Sequence, residues 1–263
     1  MVEHFNKKIA LVVEYVGRRY YGFQWQTGLP TIQAELERSI KNLTGEEKRV
    51  IAASRTDTGV HSRGQVVSFW TSSNLSTHTI VKALNHYLPD DIVIKAACVI
   101  GKDFNIRRDA LSREYEYKIL NSPIRSPLLD GFVYMVTNKL NINIMKKACK
   151  LLKGEHDFAS FTNTIYGIGN TVRRVYEAKI NDGKDSIVTF NIIANSFLPH
   201  QVRNTIGLLT RVGLGRVGLE EFRRIMEAKT MGLAGPTAPA CGLCLIRINY
   251  PRDLEKKYAN LFN

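Results

Sequence analysis

Ala53-Ser54-Arg55-Thr56-Asp57-Thr58-Gly59-Val60-His61-Ser62-Arg63-Gly64-Gln65 is a polar segment set between two apolar runs, Val50 to Ala53 and Gln65 to Trp70. Both runs have strand length and strand composition. The segment carries Gly59 and Gly64, so it reads as a loop at strand ends, where reactive groups tend to lie on a rigid scaffold. Asp57 is its single acid. The ordinary reading of Arg55-Thr56-Asp57 is a turn in which Asp57 bonds its own backbone. Composition alone does not choose between that turn and a working carboxylate.

Toward the N-terminus, Lys8 to Tyr15 is β-branched and apolar and reads as a buried strand. Gly17 and Gly22 break the run that follows. Arg18-Arg19-Tyr20-Tyr21-Gly22-Phe23-Gln24-Trp25-Gln26 mixes cations with aromatics. That mixture suits a surface that holds phosphates and stacks bases, and equally a loop tucked under its own rings. Thr31 is a helix cap, Ile32, Leu36, Ile40 and Leu43 recur at helical spacing, and Gly45 closes the helix. Beyond the quoted loop come a helix over 80–88 that ends before Pro89 and a strand over 92–100. Consecutive strands interleaved with helices give an α+β pattern of the split βαβ kind.

The second half repeats the theme. Expected are a strand at 115–120, a helix at 144–152 ending at Gly154, and a hairpin of 175–180 with 187–193 around Asn181-Asp182-Gly183. A helix follows from about Pro199, with Val202, Ile206, Leu209 and Val212 on one face. A further helix at 219–228 and a strand at 244–249 complete it. The boundary falls within 102–113, and the halves are expected at 1–105 and 106–263.

Lys plus Arg is 37 against 24 for Asp plus Glu, a formal charge of +13. Such an excess favours a polyanionic partner, because each neutralised phosphate releases condensed counterions. Hydrophobic residues make up 44%, enough for a sizeable core. No apolar run approaches the ~20 residues of a membrane helix. The opening residues lack the charged-then-apolar order of a secretory leader, so a cytoplasmic protein with no membrane association is expected. Four cysteines fit reduced thiols. Cys241-Gly-Leu-Cys244 has the spacing of half a zinc site, but no second pair exists, and Cys98 and Cys149 sit in apolar patterns. No metal is expected.

Arg55-Thr56-Asp57, Gly59, Val60 and His61 together resemble the catalytic motif of the TruA family of tRNA pseudouridine synthases. Other family landmarks follow in order along nearly the whole chain. Tyr20-Tyr21-Gly22-Phe23-Gln24 resembles its early aromatic-glycine-glutamine loop, and Thr31-Ile32-Gln33 the start of its first helix. Phe104 with Arg107, then Ser112-Arg113-Glu114-Tyr115-Glu116-Tyr117, resembles the strand with its active-site tyrosine. Gly154-Glu155-His156-Asp157-Phe158 and Ser160-Phe161 match a further landmark. Phe197-Leu198 and Val202-Arg203-Asn204 resemble the helix with its arginine. Thr58, Ser62, Val16, Asn105, Ile106, Pro199 and Gln201 depart from the commonest family residues, and none is in the core of the motif.

The resemblance implies a pseudouridine synthase fold: two RRM-like (ferredoxin-like) halves with joined sheets around a central catalytic cleft. It implies a homodimer acting on uridines on the 3′ side of the tRNA anticodon stem-loop. The reaction breaks the ribose C1′ bond to uracil N1, turns the base and joins C1′ to C5. It needs no redox cofactor, metal or nucleotide. It does need a carboxylate able to bond covalently to the substrate, the role implied for Asp57. A free aspartate has a reference pKa of ~3.9, so this side-chain type is charged at neutral pH. Arg203 matches the arginine that pairs with the family's aspartate, and Tyr115 the tyrosine set against the flipped base. Arg55 is a candidate to hold the target's phosphate or fill the vacated space. Arg18, Arg19, Arg63, Arg107, Arg113, Arg173 and Arg174 are candidate backbone contacts. A non-catalytic RNA-binding protein on the same fold would not need Asp57, and glycoside hydrolases usually work with paired carboxylates, of which the motif has one.

Overall fold

The computed structural model describes residues 7–164 and 168–262. Met1 to Asn6, read above for a leader, lie outside the described residues. The chain forms two compact units, Met1–Leu111 with Leu245–Asn263, and Ser112–Cys244. Both combine a sheet with helices, an α+β architecture.

The first unit opens with β1 (Lys7–Tyr15), α1 (Ile32–Thr44), β2 (Ile51–Ala52), β3 (His61–Thr71), α2 (Thr77–Tyr87) and β4 (Ile92–Ile100). β1 lies between β3 and β4, antiparallel to both. Ile9, Leu11, Val13 and Tyr15 alternate onto one face of β1. They meet Ile32, Leu36 and Ile40 of α1 and Ile80 and Leu84 of α2 in one buried cluster. Each such side chain contributes about 1.5–3 kcal/mol on burial. The ends of α1 are set as the sequence predicts: Thr31 Oγ1 accepts from Ala34 N at 3.2 Å, and Gly45 adopts φ 73°. α2 starts earlier than predicted because Ser76 Oγ accepts from Thr79 N at 3.1 Å.

The second unit contains β5 (Ser112–Asn121), β6 (Tyr134–Val136), α3 (Ile142–Leu151), β7 (Gly154–Asp157), β8 (Val172–Asp182), β9 (Ile187–Ala194), α4 (Gln201–Gly213) and α5 (Leu219–Glu227). Its strand order is β5-β9-β8-β7, with β6 parallel to β5. The predicted hairpin is present, but its turn is displaced. β8 runs through Asp182, and the reversal is made by Asp185 and Ser186 at φ 55° and 60°, closed by Ile187 N donating to Lys184 O at 3.1 Å. Two successive positive φ values match the twist of a hairpin. Pro199 stands outside α4, whose preceding residue His200 is left-handed at φ 62°.

β6 and β7 are not foreseen from the sequence. Gly154, expected as a helix terminator, starts β7. Gly-Glu-His-Asp has no apolar alternation, and the strand forms by pairing with Val172 to Val175 of β8. The chain then returns to the first unit through β10 (Leu243–Asn249), α6 (Arg252–Lys257) and α7 (Ala259–Phe262), giving the order β4-β1-β3-β10 there. The Tyr258 ring stacks on Phe104 with centroids 5.3 Å apart, and Tyr258 Oη accepts from Gly101 N at 2.9 Å. Tyr250 Oη donates to Ile106 O at 2.6 Å, so the C-terminal segment fastens the loop over 101–107. No helix among the described residues is long and apolar enough to cross a membrane.

Candidate active site

β2 and β3 are joined by the loop that carries Asp57, and β3 begins at His61, inside the segment read as loop from the sequence. Ser62 pairs with Tyr15 of β1 across a register shift, which extends the strand into the motif. The loop is anchored at its base: Ala53 N donates to Val66 O at 2.9 Å. Gln65, fully buried, donates from Nε2 to Ser54 O at 2.6 Å and accepts from Ser54 N at 3.3 Å. One side-chain amide thus satisfies both polar groups of a peptide that leaves the sheet.

Beyond Ser54 the chain is clamped by the aromatic-glycine loop that follows β1. Tyr15 Oη and Thr56 Oγ1 share a hydrogen bond at 2.8 Å, and Phe23 N donates to Thr56 O at 3.0 Å. Gly59 N donates to Tyr20 O at 3.2 Å. The turn at Asp57 closes through Val60 N onto Asp57 O at 3.1 Å, with Gly59 at φ 80°. A β-turn with positive φ at its third position suits glycine. Asp57 itself is half-buried.

Two glycines make this clamp possible. A Cβ on Gly17 would lie 2.0 Å from Val60 O, and one on Gly22, at φ 85°, would lie 2.7 Å from Thr56 O. His61, whose place in the motif invites a catalytic reading, is buried and accepts from Gly17 N through Nδ1 at 3.2 Å. That contact is the work of a positioning group. On the other side of β3, a Cβ on Gly64 would lie 2.4 Å from Ile246 O of β10. Tyr15, Gly17, His61, Gly64 and Gln65 were not singled out for these tasks in the sequence. Every one of these contacts except the Gln65–Ser54 pair joins chain segments far apart in order.

Arg18, Arg55, Arg63 and Arg107 are exposed. Arg19, also exposed, pairs with Asp91 through Nε at 2.8 Å and through a terminal guanidinium nitrogen at 2.7 Å. Tyr20 Oη donates to the other oxygen of Asp91 at 2.6 Å, and burial together with this bond raises the hydroxyl above its ordinary range. The aromatic-cation loop is therefore pinned at its start. The Arg107 main chain sits in a tight turn, its N–H donating to Asn105 Oδ1 at 3.0 Å.

In the second unit Arg113, Tyr115, Tyr117 and Ile119 alternate onto one buried face of β5. Arg113 donates to Asn195 O at 2.7 Å. The Tyr115 ring meets the edge of Phe197 at 5.3 Å and 90°. Tyr117 is fully buried and donates from Oη to Pro239 O at 2.7 Å, and burial raises its hydroxyl well above the usual range. The two tyrosines, equivalent by alternation, thus differ in their surroundings.

Arg203 is half-buried on α4. Its Nε donates to Ala238 O at 2.9 Å, while its own carbonyl accepts from Ala238 N at 3.1 Å. Gly207, one turn on, lets the same segment approach: a Cβ there would lie 1.9 Å from Pro236 O. Arg174 pairs with Glu155 at 3.3 Å. Arg173 folds onto Asn170 O and Val172 O at 2.8 and 2.7 Å, and burial lowers its affinity for its proton. Cys241 Sγ donates to Val133 O at 3.3 Å, and neither Cys241 nor Cys244 is in a disulfide. Among the described residues no group of three or more His, Cys, Asp or Glu side chains is arranged to hold a metal.

The geometry supplies a half-buried carboxylate on a braced turn in one unit, and a ring and an arginine on braced elements in the other. The family described as tRNA pseudouridine synthase matches residues 11–108 and 148–251, which include the Asp57 turn and Arg203, while Tyr115 falls between the two matched segments. The tRNA pseudouridine synthase A of Acetivibrio thermocellus is 39% identical over 244 residues, 93% of this chain and 100% of that protein. That of Thermoanaerobacter sp. strain X514 is 40% identical over 244 residues with the same coverage of both chains. That of Blochmanniella pennsylvanica is 40% identical over 249 residues, 95% of each. Among solved structures, a chain of an archaeal box H/ACA Nop10–Cbf5 complex aligns with 12% identity and a TM-score of 0.36, over 90% of this chain and 46% of that one. With a family match across most of its length and relatives near 40% identity end to end, the chain belongs to the tRNA pseudouridine synthase family.

Proposed function

We propose that this protein is an isomerase that converts uridine to pseudouridine in the anticodon stem-loop of tRNA, on its 3′ side. The observation that carries the reading is the family match, which runs through the Asp57 loop and is joined by full-length relatives of that activity. The atoms balance without a co-reactant. The C1′–N1 bond breaks, C1′–C5 forms, C5 loses its hydrogen, and N1 gains one.

Asp57 is the covalent carboxylate in this reading. Its loop is braced by Phe23, Tyr15 and Gln65, so the carboxylate is positioned before substrate arrives, which lowers the entropic part of the barrier. The family motif assigns Arg203 to keep a carboxylate charged and Tyr115 to stack against the turned base. Arg55, Arg18, Arg19, Arg63, Arg107 and Arg113 are the proposed RNA-binding arginines. The +13 charge supports a polyanionic substrate. A non-catalytic RNA-binding role on the same fold is not favoured, because binding alone makes no use of the Asp57 string.

By resemblance to the family we also propose a cytoplasmic homodimer built from two RRM-like halves. The test of the function is nucleotide-resolution pseudouridine mapping of unmodified tRNA transcripts incubated with the protein. New pseudouridine confined to the anticodon stem-loop is expected, and its absence would overturn the reading.

A further inference from the structure

Trp25 lies two residues beyond Phe23, the residue whose N–H holds Thr56 O beside Asp57. It keeps 41% of its surface exposed, and Tyr21 nearby keeps 48%. Two large rings close together in sequence and partly open to water give an amphipathic surface able to take a stacked partner. The main chain that carries the Trp25 ring is nevertheless held in place. Trp25 N donates to Gln33 Oε1 at 2.9 Å, and Gln33 Nε2 donates to Glu37 Oε1 at 2.7 Å and to Val50 O at 3.2 Å. Val50 N donates back to Glu37 Oε1 at 3.0 Å. Arg49 donates to Glu37 Oε2 at 3.0 Å and sets its guanidinium 5.0 Å from the centre of the Trp25 ring.

Gln33 and Glu37 are one turn apart on α1, so one helix face holds both the Trp25 main chain and the cation that lies over its ring. Trp rings and Arg planes are both surfaces on which unpaired bases stack, and the guanidinium also meets phosphate. Two residues of chain span at most ~7 Å. That bounds the separation of Phe23 and Trp25, and Phe23 N is itself 3.0 Å from Thr56 O, so the Trp25 main chain stays near the Asp57 loop.

We propose that Trp25 and Arg49 form a stacking subsite for an unpaired nucleobase of the RNA next to the target uridine, distinct from the surface that receives the uracil itself. The inference rests on the proposed function, in that the RNA is the substrate tRNA. The platform is built before binding, so it adds affinity at little ordering cost. It also favours substrates in which the neighbouring nucleotide is unstacked, as in a loop.

The chain has two tryptophans, so Trp70→Phe leaves Trp25 as the sole indole reporter. Titrating that protein with an unmodified tRNA transcript should change Trp25 fluorescence in step with binding. In the otherwise wild-type chain, Trp25→Leu should weaken tRNA binding roughly tenfold, Trp25→Phe less than threefold, and Arg49→Gln should weaken binding and flatten its salt dependence. Thermal midpoints should stay close to wild type. Unchanged fluorescence in a Trp70→Phe protein that still binds tRNA would overturn the subsite, as would wild-type affinity in folded Trp25→Leu. Should Trp25→Leu fail to fold, the fluorescence and Arg49→Gln results decide. Pseudouridine formation by the wild-type protein on the same transcript is the control: its absence sinks the proposed function, whereas its presence with unaltered Trp25→Leu binding sinks the subsite alone.

Discussion

Gly22 and Thr56 are packed main chain against main chain: a Cβ on Gly22 would lie 2.7 Å from the Thr56 carbonyl oxygen. The same oxygen accepts from Phe23 N at 3.0 Å. The early aromatic loop and the Asp57 loop are thus one mechanical unit, joined where a side chain would part them.

Gly22→Ala should therefore act on the catalytic loop from a distance in sequence. A left-handed φ costs an alanine about 1–2 kcal/mol, and the contact with Thr56 O adds to it. An unfolding free energy from urea denaturation lowered by at least that amount is expected, with a larger fall in single-turnover pseudouridine formation than in tRNA affinity. A variant that melts and reacts like wild type would show that the clamp is dispensable.

Gln65 satisfies Ser54 at both ends, so its replacements separate donor from acceptor. Gln65→Leu removes both of its hydrogen bonds to the Ser54 main chain, a loss of about 1–3 kcal/mol. Gln65→Glu keeps an acceptor for Ser54 N but sets a carboxylate against Ser54 O. Burial and that repulsion raise the new carboxyl's folded pKa above its unfolded value of ~4.3. Stability is then fully present below the unfolded pKa and is lost as pH rises through the folded one. The gap between Gln65→Glu and wild type should close as pH falls toward 4, which chemical denaturation across pH would show. A gap independent of pH would mean that the carboxylate does not meet Ser54 O.

Much of this loop was readable and much was not, for a physical reason. The Thr31 cap, the Gly45 terminator and the alternation of β1 and β5 are local properties, and spacing alone reveals them. Asp57 was found through its neighbours in the chain. What escaped depends on distant partners. Gly17 against Val60, Gly64 against Ile246, and Tyr258 on Phe104 are contacts between segments that meet only in the folded chain. β7 escaped because its polar residues are strand-like only when paired with β8. The turn at Asp185-Ser186 was displaced from Asn181-Asp182-Gly183 because several adjacent residues tolerate positive φ, and register chooses among them.

The charge excess makes a prediction about salt. With a +13 chain, tRNA affinity should fall linearly on a log–log plot against salt concentration. Paired changes to Gln among Arg18, Arg19, Arg173 and Arg174 should flatten that slope. Arg19→Gln also frees Asp91 from its pair, so pairs that include it should lose more than the others. An affinity indifferent to salt would remove the case for backbone contacts.

Asp57→Asn and Asp57→Ala should abolish isomerisation while tRNA binding stays within a few-fold of wild type. Removing a nucleophile acts on the transition state and leaves ground-state binding largely intact. Single-turnover assays with unmodified transcript, beside filter-binding constants, separate the two. Turnover of Asp57→Ala at the wild-type rate would rule out the covalent mechanism.

Tyr115 and Tyr117 share a face of β5, and their partners predict opposite phenotypes. Tyr117 donates to Pro239 O at 2.7 Å, so Tyr117→Phe should cost stability, about 1 kcal/mol, with little effect on rate. The Tyr115 ring stands edge-on to Phe197. If it stacks on the turned uracil, Tyr115→Phe keeps the aromatic face and Tyr115→Leu removes it. A base–aromatic stack contributes ~1–3 kcal/mol, and one formed only after flipping lowers the rate more than the affinity. Tyr115→Leu should therefore react roughly tenfold or more slowly than Tyr115→Phe, with both proteins folded and both binding tRNA normally. A severe loss in Tyr115→Phe would assign the hydroxyl to proton transfer. Equal, near-wild-type rates for Phe and Leu would make Tyr115 a core residue like its neighbour two positions on, and the stacking surface would have to be sought elsewhere.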